Sequence, residues 1–192
     1  MRKKITLTLL VISLLTVAVF AVAIIGTLSY WYSNSSSIGF WTTPRKIYLS
    51  YSISSAGTAA RNAATQWTNA GVSSSFVTSG SSMTFACYPY DTCVQLEPSI
   101  PTDAAGYTSS STTYVGDFEY GSTYKRGYEV LGAFCYLITD VSTNYIGDCA
   151  HELGHAFGWM GHSTNSSDIM YAYANSPTTL TTRDKNHLNQ VY

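Results

Sequence analysis

The segment Cys149-Ala150-His151-Glu152-Leu153-Gly154-His155-Ala156-Phe157-Gly158-Trp159-Met160-Gly161-His162 gathers three of the chain's four histidines within twelve residues. On an α-helix four residues turn through about 400°, so His151 and His155 project from one face, a turn apart, and can share a metal ion. Zinc accepts imidazole nitrogen at about 2.0–2.1 Å, and a catalytic zinc keeps one of its four positions for water. A third protein ligand is therefore required. His162 supplies it if the chain leaves the helix and turns back, which Gly158 and Gly161 allow. Glu152 sits beside His151, placed to take a proton as metal-activated water attacks a carbonyl. Metal-assisted hydrolysis is the chemistry implied.

A helix that presents these groups must also pack. Ile146, Ala150, Leu153 and Phe157 follow the i, i+4, i+7, i+11 pattern of a core stripe and lie away from the two histidines. Cys149 is about 200° from His151 and cannot join the metal cluster, whereas Asp148, about 60° away, could orient an imidazole.

With these residues in view, the chain resembles the metzincins, and among them the matrixin branch, marked by H-E-x-x-H-x-x-G-x-x-H and a later Met-turn. His151, Glu152, His155 and Gly158 match directly, and Ser163 matches the residue usual after the third histidine. Asp168-Ile169-Met170-Tyr171 is the Met-turn candidate, with Met170 eight residues after His162. One departure stands out: His162 comes one residue later than the pattern, as if a residue were inserted among Trp159-Met160-Gly161. His162 remains the expected third ligand, with the carboxylate of Asp168 as the alternative.

The resemblance covers residues 41–192 and implies a zinc-dependent endopeptidase that hydrolyses peptide bonds of extracellular proteins. It implies one catalytic Zn2+, Glu152 as general base and Met170 as a hydrophobic floor beneath the metal. Tyr171 and Tyr173 should wall the pocket for the side chain after the scissile bond, although Ala172 stands where the family usually has proline. The polypeptide substrate would bind extended along a sheet edge around Tyr114–Tyr120. Structural Ca2+ is common in the family, but Asp117 and Glu119 show no calcium-loop pattern. No glutamate follows Glu152, which excludes a later glutamate as zinc ligand. The competing reading is a non-catalytic, zinc-stabilised or adhesive cell-surface protein.

The elements needed to position such a site are legible as an α+β pattern. Ile47–Ile53 reads as a strand, followed by a helix through Ala59, Ala63, Trp67 and Ala70 that ends at Gly71. Phe76–Val77, Met83–Cys87, Val94–Leu96, Tyr114–Phe118 and Val130–Ile138 read as further strands. The metal-binding helix should run from Ser142 or Thr143 to Gly158, and a last helix should start at Thr181 or Thr182, with Leu188 and Val191 on one face. The expected fold is metzincin-like: a small twisted mixed sheet, a zinc-binding active-site helix and a C-terminal helix.

Composition restricts the setting. Charged residues are 11% of the chain against about 25% in an average soluble protein. Residues 31–192 carry 7 basic and 11 acidic side chains, which leaves no basic face for nucleic acid. Arg2-Lys3-Lys4 precedes an apolar run from Ile5 to Leu28, so residues 1–30 read as a signal peptide or an N-terminal membrane anchor that crosses through residues 5–28 if uncleaved. Ala21-Val22-Ala23 has the form of a cleavage site. Either way the protein is expected to be exported, secreted or held on the extracellular face of the membrane. Residues 31–40 read as a Ser-rich stalk and 41–192 as the catalytic domain. Export makes disulfides plausible, with Cys87–Cys93 and Cys135–Cys149 as the expected pairs, and Asn34 and Asn165 open two glycosylation sequons.

Overall fold

The computed structural model describes residues 22–173 and 176–192. Four helices pack with one mixed sheet ordered β1-β6-β7-β5-β3-β4. Its strands are β1 (Ile24–Thr27), β2 (Ser37–Phe40), β3 (Lys46–Tyr51), β4 (Ser75–Phe76), β5 (Met83–Tyr88), β6 (Gly106–Tyr120) and β7 (Thr123–Ile138). All pairings are parallel except the long β6–β7 hairpin, which turns at Gly121 with a φ of 57°. That arrangement is the α+β, mixed-sheet architecture expected.

The helices are α1 (Ser54–Asn69), α2 (Tyr90–Leu96), α3 (Tyr145–Ala156) and α4 (Thr182–Asn189). Helix α1 buries Ala56, Ala59, Ala60, Ala63, Ala64 and Trp67. Small side chains let α1 and α3 approach closely, and the Trp67 indole N–H donates to the Ala150 carbonyl at 2.8 Å, tying the two helices together. Ala150, Leu153 and Phe157 form the buried stripe of α3, as the periodicity predicts, while Ile146 is only half-buried.

The structure corrects several expectations. Val94–Leu96 is the end of helix α2, which follows Pro89 and carries Asp91 in its first turn; these N-terminal helix signals outweigh a short Val-Gln-Leu alternation. The hairpin strands extend well beyond the predicted segments, since β6 includes the consecutive Ser/Thr run 108–113, whose exposed positions 110–113 lack the polar and apolar alternation that marks a strand. Residues 31–40 are not a stalk: β2 pairs with Arg126–Glu129 of β7, and Ile38 is fully buried. The end of the apolar N-terminal run likewise joins the sheet. Ile24–Thr27 pair with Asp117–Glu119 of β6, and Leu28 enters the core. No helix among the described residues is long and apolar enough to cross a membrane, and residues 1–21, which hold most of the expected leader or anchor, lie outside them.

The expected disulfides also do not form, and Cys87, Cys93, Cys135 and Cys149 are free and buried. Strand alternation separates the first pair: Cys87 joins the core under α1 and α3, whereas Cys93 packs with Ala86, Tyr136 and Ile138 on the other face of the sheet. Helix phase separates the second. Cys135 lies with its sulfur 3.8 Å from the Glu152 carbonyl, while the Cys149 thiol meets Cys87.

Candidate active site

Helix α3 carries the site. Asn144 caps its start by accepting from the Gly147 N–H at 3.2 Å. At its end, Gly158 takes a φ of 112°, and a Cβ there would lie 2.1 Å from the Gly39 carbonyl oxygen. Only glycine fits that reversal. Trp159 N–H then returns to the Gly154 carbonyl at 2.9 Å, and Gly161, with a φ of 72°, turns the chain again towards His162.

These turns bring the three histidines together. Candidate ligand atoms of His151, His155 and His162 all lie within 4.8 Å of one another. His151 Nδ1 is 2.8 Å from the Ile169 carbonyl and His155 Nδ1 is 2.8 Å from the Trp159 carbonyl. A carbonyl can only accept, so each Nδ1 carries the proton and each Nε2 presents a lone pair. The two Nε2 atoms face each other at 3.0 Å, close to the roughly 3.3 Å that two imidazoles span on a tetrahedral zinc. Burial keeps the rings neutral: it lowers His151 to about 4 and holds His155 and His162 below the ordinary histidine value. Opposed, unprotonated lone pairs are the donor set a borderline-soft divalent cation requires.

Glu152 points into the same cleft from beside His151. Its carboxyl is buried, which raises it to about 8 against the opposing effect of a hydrogen bond from Thr108. Thr108 Oγ1 lies 2.6 Å from Glu152 Oε2, and two residues earlier a Cβ on Gly106 would come within 2.6 Å of Glu152 Cγ. The start of β6 therefore fits over the carboxylate. Neither residue was singled out from the sequence, because Thr108 opens a run of six Ser and Thr residues that reads as ordinary polar strand.

Beneath the histidines, Met170 is fully buried, with its sulfur in the gap left by Gly154 on α3. The turn that carries it is held from below. Asp184 of α4 accepts from Ile169 N–H at 3.0 Å and Met170 N–H at 3.3 Å, and forms a capping box with Thr181. Asp168, the alternative ligand, faces away from the cluster: it accepts from Ser163 Oγ at 2.6 Å and pairs with Arg183 at 3.0 Å. Asp148 likewise orients no imidazole. It accepts from Ser142 Oγ at 2.5 Å, and the Ile169 and Trp159 carbonyls serve the rings of His151 and His155 instead.

A cavity of about 750 Å³ opens over the cluster. Its lining includes Gly106 and Thr108 of β6, Tyr171 and Tyr173, together with His151, Glu152, His155 and His162. Tyr173 is 74% exposed, and its ring meets that of Tyr171 edge-on at 5.6 Å. The matrixin family model (peptidase M10) matches residues 45–192. The chain belongs to the matrixin family. No curated protein matches it.

As a matrixin the chain is a zinc metalloendopeptidase, a family assignment that covers strands β3 to β7 and all four helices, and leaves β1 and β2 outside the match. The one-residue excess before His162 leaves the cluster intact, because the loop between two positive-φ glycines absorbs it. The three-histidine group is the zinc-type cluster among the described residues. Asp117 and Glu119 lie on β6, where their backbones pair with β1, and Asp117 accepts from the Tyr114 hydroxyl at 2.9 Å.

Proposed function

We propose that this matrixin is exported and hydrolyses peptide bonds of extracellular proteins, with His151, His155 and His162 holding one zinc ion and Glu152 acting as general base. The observation that carries the reading is the convergence of three imidazoles and one buried carboxylate in an open cleft. Bound there, zinc would supply Lewis acidity and bring the pKa of water to about 7.

The remaining steps belong to the chain's own side chains. Glu152, with an affinity for protons raised by burial, takes one from the attacking water and passes it to the leaving amine. Thr108 holds one carboxylate oxygen, so the other is presented to the cleft. Met170 excludes water from below, and Tyr171 and Tyr173 flank the pocket for the side chain after the scissile bond. Substrate would add as an extended strand to β6. The expected position at Tyr114–Tyr120 is largely occupied, since β1 covers Asp117–Glu119, and the stretch from Gly106 to Ser110 beside Glu152 is the better edge. Residues 1–21 would supply the export signal or membrane anchor. A purely structural zinc closes all four positions with protein ligands, whereas this cluster offers three histidines beside an open cleft.

The test is elemental analysis of the full-length chain and its Glu152→Ala variant, with casein cleavage assayed on the same samples. One equivalent of zinc in both, with cleavage by the wild type alone, is the expected result. Absence of zinc from the folded wild type would overturn the assignment.

A further inference from the structure

The three histidines are not held in the same way. Carbonyl oxygens fix the rings of His151 and His155, whereas the ring of His162 makes no hydrogen bond among the described residues. Apart from ring contacts with His151 at 5.3 Å and His155 at 4.9 Å, its position rests on its backbone. That backbone is gripped by one residue: His162 N–H donates to Asn34 Oδ1 at 2.8 Å, and Asn34 N–H donates to the His162 carbonyl at 2.9 Å. Because the partner is a donor, the amide atom facing it must be oxygen.

The grip continues along the loop. Ser33 Oγ donates to the Met160 carbonyl at 2.5 Å and accepts from Ser35 N–H at 3.0 Å, and Gly39 N–H donates to the Gly158 carbonyl at 2.7 Å. Gly161 fits against the strap only because it lacks a side chain, since a Cβ would lie 2.4 Å from Asn34 Oδ1. The residues that hold the third histidine thus lie more than a hundred positions upstream, within 31–40. The loop they grip, from Gly158 to His162, is also the one that carries one residue more than the family pattern.

We infer that Asn34 is a positioning residue for the metal site, the member of an N-terminal strap that fixes His162 in reach of His151 and His155. The inference rests on the zinc reading proposed above. It also requires that residues from Ser33 onward remain attached, so any proteolytic processing that preserves activity cuts before Ser33.

The test compares full-length wild type, Asn34→Ala and Asn34→Asp by zinc competition against a chromophoric chelator, and by amide hydrogen exchange at His162 in the metal-free proteins. Loss of one partly exposed hydrogen bond to a ligand-bearing loop corresponds to about tenfold weaker zinc binding in Asn34→Ala. Exchange at the His162 amide should quicken while the Leu153 amide in α3 stays protected. Asn34→Asp keeps the acceptor and should restore both readouts to within about threefold of wild type. Equal zinc affinity in wild type and Asn34→Ala, or no rescue by Asn34→Asp, would overturn the positioning role. A wild type that binds no zinc while its His162 exchange still responds to Asn34→Ala would overturn the peptidase reading and leave the backbone clamp standing.

Discussion

Thr108 on β6 donates its hydroxyl to Glu152 on α3 across 2.6 Å, joining the strand that borders the cleft to the carboxylate within it. The bond fixes one oxygen of the proposed base and so fixes where the other points. Thr108→Val keeps the shape of the side chain and removes the donor. A fall in kcat of about tenfold, with KM and zinc content unchanged, is expected from freeing the carboxylate. Glu152→Gln, which removes the base itself, should lower kcat by about 10²–10⁴ and retain zinc. Steady-state kinetics with metal analysis of the same samples checks both.

His162 and Asp168 have different surroundings. His162 belongs to the three-histidine group that could hold a metal ion, whereas Asp168 is buried among Ser163, Thr181 and Arg183 next to the turn of Ile169 and Met170. His162→Ala should therefore abolish stoichiometric zinc while leaving the metal-free fold nearly as stable as before. Asp168→Ala should do the reverse, keeping zinc and costing about 3 kcal/mol, because it strips a buried hydrogen-bond network of its acceptor. Thermal unfolding with and without a chelator distinguishes the two.

Gly154 leaves room for Met170 between the histidine-bearing turns. A Cβ at position 154 would sit 2.3 Å from the Met170 sulfur and 3.0 Å from the Trp67 ring, both fully buried. Neither can move aside freely in a close-packed core. Gly154→Ala should lower stability by about 1–3 kcal/mol despite the higher helix propensity of alanine. Gly154→Ala with Met170→Ala, which opens the space again, should cost less stability than the sum of the two single substitutions. Non-additivity in a double-mutant cycle is the measurement.

The site was legible in the sequence because its parts are local. His151, Glu152, His155 and His162 fall within twelve residues, and helix phase alone places the first three. What supports them was not legible, because it is supplied from far along the chain by residues with no distinctive signal. Thr108 is one hydroxyl in a row of six, and Asn34 sits in a Ser-rich stretch that reads as linker. Likewise Ile24–Thr27 complete an apolar run that suits a membrane as well as it suits a sheet edge, and only the free edge of β6 decides between them for these residues. The cysteines misled for a related reason. Nearness in sequence says nothing about which face of a strand or helix a thiol occupies.

His187 on α4 gives the fold a dependence on pH that is separable from the metal. It is fully buried against the rings of Trp31 and Trp159; its Nδ1 accepts from Tyr32 N–H at 3.3 Å, and its Nε2 has no partner among the described residues. Desolvation lowers it to about 3, whereas the unfolded chain would titrate near the ordinary value of about 6.5. Between those values the unfolded state binds a proton that the native state does not. Stability is therefore full above pH 6.5 and falls as pH drops towards 3, with a limiting slope of about 1.4 kcal/mol per pH unit from this residue. In metal-free protein, where His151, His155 and His162 contribute in the same direction, His187→Phe should remove one proton's worth of that slope and leave the rest. Urea unfolding midpoints of wild type and variant between pH 4 and 7 make the comparison, and parallel curves would show that His187 does not titrate on unfolding.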